Sequence, residues 1–216
     1  MRPTESEGDS KQFDVLCVDW QQKHEMATVA IPPWNSLGVF PPNDPAAPIS
    51  FTRSPYAVSL VDVVSRFATS PERIVILEGF LDYRKAVHAL GYIEGFQWLN
   101  GSFCEDVETL ELRKPADIDI VTFNHDLASP IPDGADISVL DHASAKTTFK
   151  VDSYWVELDA LPRRMLPFVS AYWYSMWSHR RTQTWKGFLQ VDLAPNMDSA
   201  ARACLTSVST TRGATP

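Results

Sequence analysis

An alternation of polar and apolar residues identifies one candidate strand near the middle of the chain. The five residues from position 117 to position 121 are Asp-Ile-Asp-Ile-Val. Because successive side chains of a strand point to opposite faces, Asp117 and Asp119 share one face. Ile118 and Ile120 share the other face, which we expect to be buried. The pattern therefore predicts a strand that carries two carboxylates on a single face.

Apolar residues recur at helical spacing in two segments before this strand. The spacing over residues 60–67 gives one apolar face, and Ser54-Pro55 has the serine N-cap and first-turn proline of a helix start. The same start signal at Ser70-Pro71 predicts a second helix that runs to Leu90 and is closed by Gly91. Two helices are therefore expected ahead of the carboxylate strand.

The second half of the chain continues the alternation of helix and strand patterns. We expect a short helix over 137–146, a strand over 149–158, an aromatic-rich helical region over 162–181 and a last strand over 186–193. Within the strand over 149–158, Asp152 projects onto one face. It is a third carboxylate available to join Asp117 and Asp119.

The segments outside these patterns divide the chain into one domain and two extensions. Residues 1–30 are predicted to be a partly disordered N-terminal extension with a short strand over 13–20. Residues 31–193 form the predicted α/β domain. Residues 194–216 contain few large apolar side chains and are predicted to be a flexible C-terminal tail.

The first part of the domain, residues 31–55, is rich in proline. Proline lacks an N–H donor and favours extended or turn conformations, so we expect an N-terminal arm laid over the domain surface. Its predicted anchors are the apolar residues Trp34, Leu37, Val39 and Phe40.

Composition narrows the class of protein. Of the 216 residues, 44% are hydrophobic and 21% are charged, which is ordinary for a soluble globular domain. The net charge of −8 argues against a broad basic surface for DNA. The three cysteines lack the spacing of zinc ligands and indicate a reducing, cytoplasmic setting. No apolar run is as long as a membrane span, so no membrane partner is expected.

The three aspartates suit a pair of Mg²⁺ ions, because hard cations take oxygen ligands and commonly bind through carboxylates and substrate phosphates. Two aspartates on one strand face also repel each other unless a cation lies between them. The alternative is that Asp117 and Asp119 are solvated residues at a strand edge and Asp152 a surface residue. Upstream, Gly101 lets a backbone approach a phosphate and Ser102 can donate to it, although this pair could also form only a tight turn.

Gly-Ser, a loop and then Asp-x-Asp at the start of a hydrophobic strand resemble the signature of the nucleotidyltransferase superfamily, which includes DNA polymerase beta and the minimal nucleotidyltransferases. The likeness extends over residues 31–193 to an uncharacterised bacterial family of nucleotidyltransferase-like proteins. It includes the segments 31–34, 38–42, 69–73, 151–152 and 186–187. The loop between Gly101 and Asp117 is several residues longer than that pattern. The resemblance implies a small mixed sheet flanked by helices.

The same resemblance implies a metal-dependent enzyme. It would move a nucleoside monophosphate, AMP in the first instance, from ATP or another nucleoside triphosphate to an acceptor hydroxyl. The implied ligands of Mg²⁺ or Mn²⁺, which are also the catalytic residues, are Asp117, Asp119 and Asp152. The implied nucleotide-binding residues are Gly101, Ser102 and Lys186, with Arg180 or Arg181 as further candidates for the triphosphate. His125 and Asp126 are interpreted as loop residues.

The expected acceptor is a protein or a tRNA, and a genomically adjacent protein is a candidate partner in a toxin–antitoxin or antiviral defence system. Two other functions remain open. The chain could be a catalytically weak nucleotide-binding sensor or an antitoxin-like partner protein. It could also be an interaction protein whose aromatic helix, residues 168–177, is a docking face. Aromatic residues at helical spacing are otherwise typical of a core, and a stacking surface for adenine is a third interpretation.

Overall fold

A mixed sheet of five strands lies at the centre of the protein, whose structure is a computed structural model that describes residues 28–127 and 129–213. The strands are β1 (Tyr56–Ala57), β2 (Gly95–Asn100), β3 (Ile118–Asn124), β4 (Val151–Glu157) and β5 (Leu189–Asp192). Their spatial order is β1-β5-β2-β3-β4. The outer pairs β1–β5 and β3–β4 are parallel, and β2 is antiparallel to both of its neighbours. The strand predicted over 13–20 lies outside the described residues.

Helices flank this sheet, which confirms the predicted α/β class. They are α1 (Leu60–Phe67), α2 (Pro71–Ala89), α3 (Val107–Leu110), α4 (His142–Phe149), α5 (Leu166–Trp177) and α6 (Asp198–Gly213). Short 3₁₀ turns cover Ser102–Cys104, Ile137–Leu140, Arg163–Met165 and Pro195–Met197. None of the helices in this described part of the chain is long and apolar enough to cross a membrane.

One of the two predicted helix starts is confirmed and the other is wrong. Ser70 caps α2 by accepting a hydrogen bond from the Arg73 backbone N–H, and the chain leaves the helix at Gly91 with a φ of 96°. Ser54-Pro55, in contrast, leads into β1, because the buried Ser54 hydroxyl accepts a hydrogen bond from the backbone N–H of Phe188 at 2.9 Å. The first helix begins five residues further on, after Ser59, whose hydroxyl caps it.

The predicted flexible C-terminal tail is also wrong, because α6 occupies most of it. Ala201 and Leu205 are buried in the main core, where α6 packs against α1 and α2. Small residues let a helix approach its neighbours closely, so a shortage of large apolar side chains does not prevent packing.

The two faces of the sheet are covered differently. One face packs against α1, α2, α4 and α6 and forms the main hydrophobic core. The opposite face carries a smaller, largely aromatic cluster that includes Trp98, Phe123 and Phe188 and packs against α5. Both faces of β3 are therefore buried beyond Asp119, whereas the sequence predicted one buried face only. The carboxylates of Asp117 and Asp119 lie at the start of β3.

Residues 28–55 contain turns but no helix or strand, and they contact the segment that follows β2. The indole N–H of Trp34 donates to the Cys104 carbonyl at 2.8 Å, and the Asp106 N–H donates to the Gly38 carbonyl at 2.9 Å. Of the predicted anchors, Val39 and Phe40 are buried, and Trp34 packs against the main core. Leu37 was wrongly predicted to be an anchor, since it is 56% exposed.

A fully buried arginine, Arg84 on α2, joins the C-terminal helix to the sheet. Its guanidinium donates to both carboxylate oxygens of Asp198, to the side chain of Gln97 and to the carbonyls of Asp192, Leu193 and Ala194. The positive charge is thus paired with Asp198 at 2.8 Å, and all three guanidinium nitrogens have acceptors.

Replacing Arg84 by Met should lower the free energy of unfolding by about 3–5 kcal/mol, because the Asp198 carboxylate, which is only 20% exposed, and several carbonyls lose their donor. Urea unfolding followed by circular dichroism would measure this loss. The exposed neighbour Lys85 offers the control, and Lys85→Met should change stability by less than about 0.5 kcal/mol. Equal effects of the two changes would contradict the role of the buried guanidinium.

Candidate functional site

Two of the predicted carboxylates lie side by side on adjacent parallel strands. Asp119 of β3 and Asp152 of β4 are register partners, and Asp117 lies just before β3 begins. The ammonium of Lys146, on α4, lies between the carboxylates of Asp117 and Asp152. Its Nζ is 3.0 Å from Asp117 Oδ2 and 2.5 Å from Asp152 Oδ2.

Gly101 lies directly against the Asp119 carboxylate. Its φ of 80° falls in the region that favours glycine, and a Cβ built at this position would lie 2.5 Å from Asp119 Oδ2. Asn100, the residue before it, is the register partner of Asp119 across β2 and β3. The requirement for glycine at position 101 is therefore explained by the neighbouring carboxylate as well as by the backbone conformation.

The electrostatics of Asp119 reflect its crowded surroundings. Burial, followed by the charges of Asp117 and Asp152, raises the pKa of its carboxyl from 3.8 to about 6, although Lys186 and Lys146 oppose the increase. Asp119 forms no ion pair with the residues that the structure describes. At neutral pH the cluster therefore has a deficit of positive charge.

Lys186 takes part in a buried ion-pair network with Glu105 and Arg180, which we call the basic wall of the site. Its Nζ is 2.5 Å from Glu105 Oε1, and Arg180 Nη2 is 2.8 Å from Glu105 Oε2. Arg180 also reaches Glu111 at 3.1 Å. Lys186 is 5% exposed and Glu105 equally so, which makes Lys186 a recessed cation whose charge is already shared with a carboxylate.

Arg73 holds the segment that supplies Glu105. Its fully buried guanidinium donates to the carbonyls of Phe103 and Glu105 at 2.6 and 2.7 Å, and to the Glu108 carboxylate at 2.6 Å. The long loop between Gly101 and Asp117 is consequently ordered: it contains a 3₁₀ turn and α3.

Aromatic side chains form a third wall. The Tyr154 ring lies between His142 and Trp173, with centroids 5.0 and 5.3 Å away. Trp173 and Trp177 of α5 line the same space. Near the start of α5, Phe168 is 63% exposed, so its side chain packs neither in this space nor in the core.

The carboxylates, the basic wall and the aromatic residues line an open cavity of about 710 Å³. All six site residues predicted from the sequence line it. They are Gly101, Ser102, Asp117, Asp119, Asp152 and Lys186. Arg180 and Arg181 also line it. His125 and Asp126 follow the far end of β3, where His125 pairs with Asp159 at 3.1 Å, and they do not line the cavity.

Sequence reasoning missed three residues that organise the cavity: Lys146, Glu105 and Arg73. Arg73 carried a signal, since this charged residue shares helical spacing with the apolar Ile76, Leu77 and Phe80. Glu105 was part of an acidic segment interpreted as a loop, and nothing local distinguishes it. Lys146 was assigned to a helix, but only the tertiary structure brings that helix next to Asp117.

Within residues 28–127 and 129–213, no three His, Cys, Asp or Glu side chains are arranged as a ready-made metal site. The position of Lys146 accounts for this in part, because its ammonium separates the Asp117 and Asp152 carboxylates.

The fold and the cavity define a mixed α/β domain with a cluster of carboxylates opposite a set of basic side chains. Residues 32–192 match DUF6932, a family of unknown function, and the chain belongs to that family. No curated protein and no solved structure matches the chain. The resemblance to nucleotidyltransferases therefore stays a prediction.

Replacing Asp119 by Asn should stabilise the metal-free protein at pH 7 by about 3 kcal/mol, because each unit of raised pKa corresponds to about 1.4 kcal/mol. The folded state binds the Asp119 proton more tightly than the unfolded chain. This contribution is complete below the ordinary carboxyl pKa of 3.8 and is lost as the pH rises through about 6. The advantage of Asp119→Asn should therefore vanish near pH 4.

Urea unfolding between pH 4 and pH 7, with chelator present, measures this difference. Asp126→Asn removes an exposed carboxyl and should show no comparable trend. A gap between wild type and Asp119→Asn that is the same at both pH values would show that ionisation of Asp119 is not its source.

Proposed function

We propose that the protein is a Mg²⁺-dependent nucleotidyltransferase that transfers a nucleoside monophosphate from a nucleoside triphosphate, ATP in the first instance, to an acceptor hydroxyl. The observation that carries the proposal is the convergence of Gly101 and Ser102 with the three carboxylates around one cavity. Asp119 and Asp152 are register partners there, and Gly101 lies against the Asp119 carboxylate.

The donor set suits a hard divalent cation. Asp117, Asp119 and Asp152 offer carboxylate oxygens only, as Mg²⁺ prefers. Asp152 Oδ1 is buried without a hydrogen bond to the described residues, although His142 Nε2 lies 3.3 Å away. The raised pKa of Asp119 also indicates carboxylates that a bound cation would stabilise. When bound, Mg²⁺ or Mn²⁺ would neutralise charge that develops on the phosphates during transfer.

The chain's own groups would hold and orient the reactants. Backbone N–H groups and the hydroxyl at Gly101-Ser102 would donate to phosphate oxygens. Arg180, which is paired with Glu105 and Glu111 but is more exposed than Lys186, would add positive charge. Lys186, being paired with Glu105, would act mainly by holding that wall in place. A new bond would form between the acceptor oxygen and the α-phosphorus, pyrophosphate would leave, and Asp152 would receive the hydroxyl proton.

The aromatic wall supports a nucleotide rather than a bare phosphate as the substrate. Tyr154 and Trp173 line the cavity with their rings in contact, and stacking on aromatic side chains is a common way of binding a base. The acceptor we propose is a protein or a tRNA from a genomically adjacent system, as in toxin–antitoxin or phage-defence pairs. The net charge of −8 favours the protein mildly.

One observation favours a second function, a nucleotide-binding sensor or antitoxin-like protein with little turnover. Lys146 already forms ion pairs with two of the carboxylates, so part of their charge is balanced without a metal ion. Such a protein would bind a nucleotide and present the complex to its partner without transferring a group.

Transfer of label from α-phosphate-labelled ATP into a lysate that contains tRNA and protein tests the main proposal. With Mg²⁺, wild type should label one macromolecular band. Asp117→Asn should reduce the labelling at least about a hundredfold, because it removes a group that acts on the transferring phosphate. Asp126→Asn, whose carboxyl lies outside the cavity, is the matched control and should label as wild type does.

Equal labelling by Asp117→Asn and wild type would refute the assignment of the carboxylates. If none of the four ribonucleoside triphosphates gives label, Mg²⁺-dependent nucleotide binding measured by calorimetry would favour the sensor. Absence of both label and binding would refute both functions.

A further inference from the structure

The helix that carries Lys146 is held firmly in place. Ala145 is fully buried, and the C-terminus of α4 contacts the α2 backbone so closely that a Cβ at Gly79 would lie 2.1 Å from the Phe149 carbonyl oxygen. Lys150 ends α4 in a left-handed conformation, and its carbonyl accepts a hydrogen bond from Ile118 at the start of β3. The backbone of Lys146 is therefore fixed beside the strands that carry the aspartates.

The side chain of Lys146, in contrast, has room to leave its position. It is 46% exposed, and it lines the open cavity together with the two carboxylates that it contacts. Water solvates the ammonium well once it has left, so the free energy that its departure costs comes mainly from the carboxylates that it leaves. Asp117 and Asp152, at 21% and 15% exposure, are the less accessible partners and need some cation beside them.

We propose that Lys146 is an exchangeable counter-ion: its ammonium holds Asp117 and Asp152 in the absence of metal, gives way to a divalent cation, and then pairs with the phosphates of the bound nucleotide. This inference rests on the proposed function, because it assumes the metal and nucleotide site described above. A lysine ammonium and a divalent cation repel each other strongly at contact distance, so they compete for the same two oxygens.

The exchange makes the binding of metal and nucleotide interdependent. Metal alone must displace the ammonium into water, which weakens its binding. Metal that binds together with a nucleotide leaves the ammonium next to phosphate oxygens, where it regains a partner. Each ligand therefore strengthens the binding of the other by the same factor.

Titration calorimetry with Mn²⁺ tests this coupling, with and without an ATP analogue that has a methylene group in place of the α,β-bridging oxygen. Lys146→Met should bind Mn²⁺ alone about tenfold more tightly than wild type, since no ammonium competes. The factor by which the analogue improves Mn²⁺ binding should be smaller in Lys146→Met than in wild type. Lys150→Met removes an exposed lysine from the end of the same helix and should match wild type in both respects.

Thermal melting provides a second readout that a merely structural lysine would not produce. Without metal, Lys146→Met should melt below wild type, because its carboxylates lack a counter-ion. Saturating Mn²⁺ should then raise its melting temperature more than that of wild type. Lys146→Gln keeps a polar head group and gives the same comparison if the Met variant does not fold.

Two results would overturn the proposal in different ways. Equal Mn²⁺ affinities and equal coupling factors in wild type and Lys146→Met would refute the exchange and leave the transferase proposal intact. If folded wild type and variants all fail to bind Mn²⁺ even with the analogue, both the exchange and the metal-dependent transferase are refuted.

Discussion

The buried guanidinium of Arg73 is the contact on which the candidate site depends. The connection from β2 to β3 is long, and its carbonyls at Phe103 and Glu105 point into the protein, where they need donors. Arg73 supplies them from the first turn of α2. By fixing that connection it fixes Glu105, and Glu105 in turn sets the positions of Lys186 and Arg180. One charge on a helix thus determines the shape of the basic wall of the cavity.

The asymmetric covering of the sheet explains why the cavity is where it is. Four helices close one face completely, whereas α5 alone covers the other. The strands that carry Asp119 and Asp152 begin at the cavity, which Trp173 and Trp177 of α5 also line. Polar groups there remain accessible while their backbones stay within a rigid sheet, which combines precise placement with access for a ligand.

Local patterns in the sequence predicted much of this arrangement. Alternation placed Asp117 and Asp119 on one face, and the cap signals of α2 located both of its ends. The failures have physical causes. Ser54-Pro55 carries the same local signal as Ser70-Pro71, but pairing with Phe188, distant in sequence, directs it into a strand. The C-terminal helix is stabilised by burial against α1 and α2 and by the ion pair between Asp198 and Arg84. Neither contact can be predicted from the local sequence. The contacts of Lys146 and Glu105 likewise depend on tertiary structure alone.

The register between β3 and β4 limits where this family can change in length. Asp119 and Asp152 face each other because their strands are aligned residue for residue. An insertion of one residue within either strand would turn its aspartate toward the main core, since successive side chains alternate between faces. An insertion in the connection between Gly101 and Asp117 leaves both strands aligned. We therefore expect changes of length to be tolerated in that connection, and the length of the loop in this chain is compatible with an undisturbed pair of carboxylates.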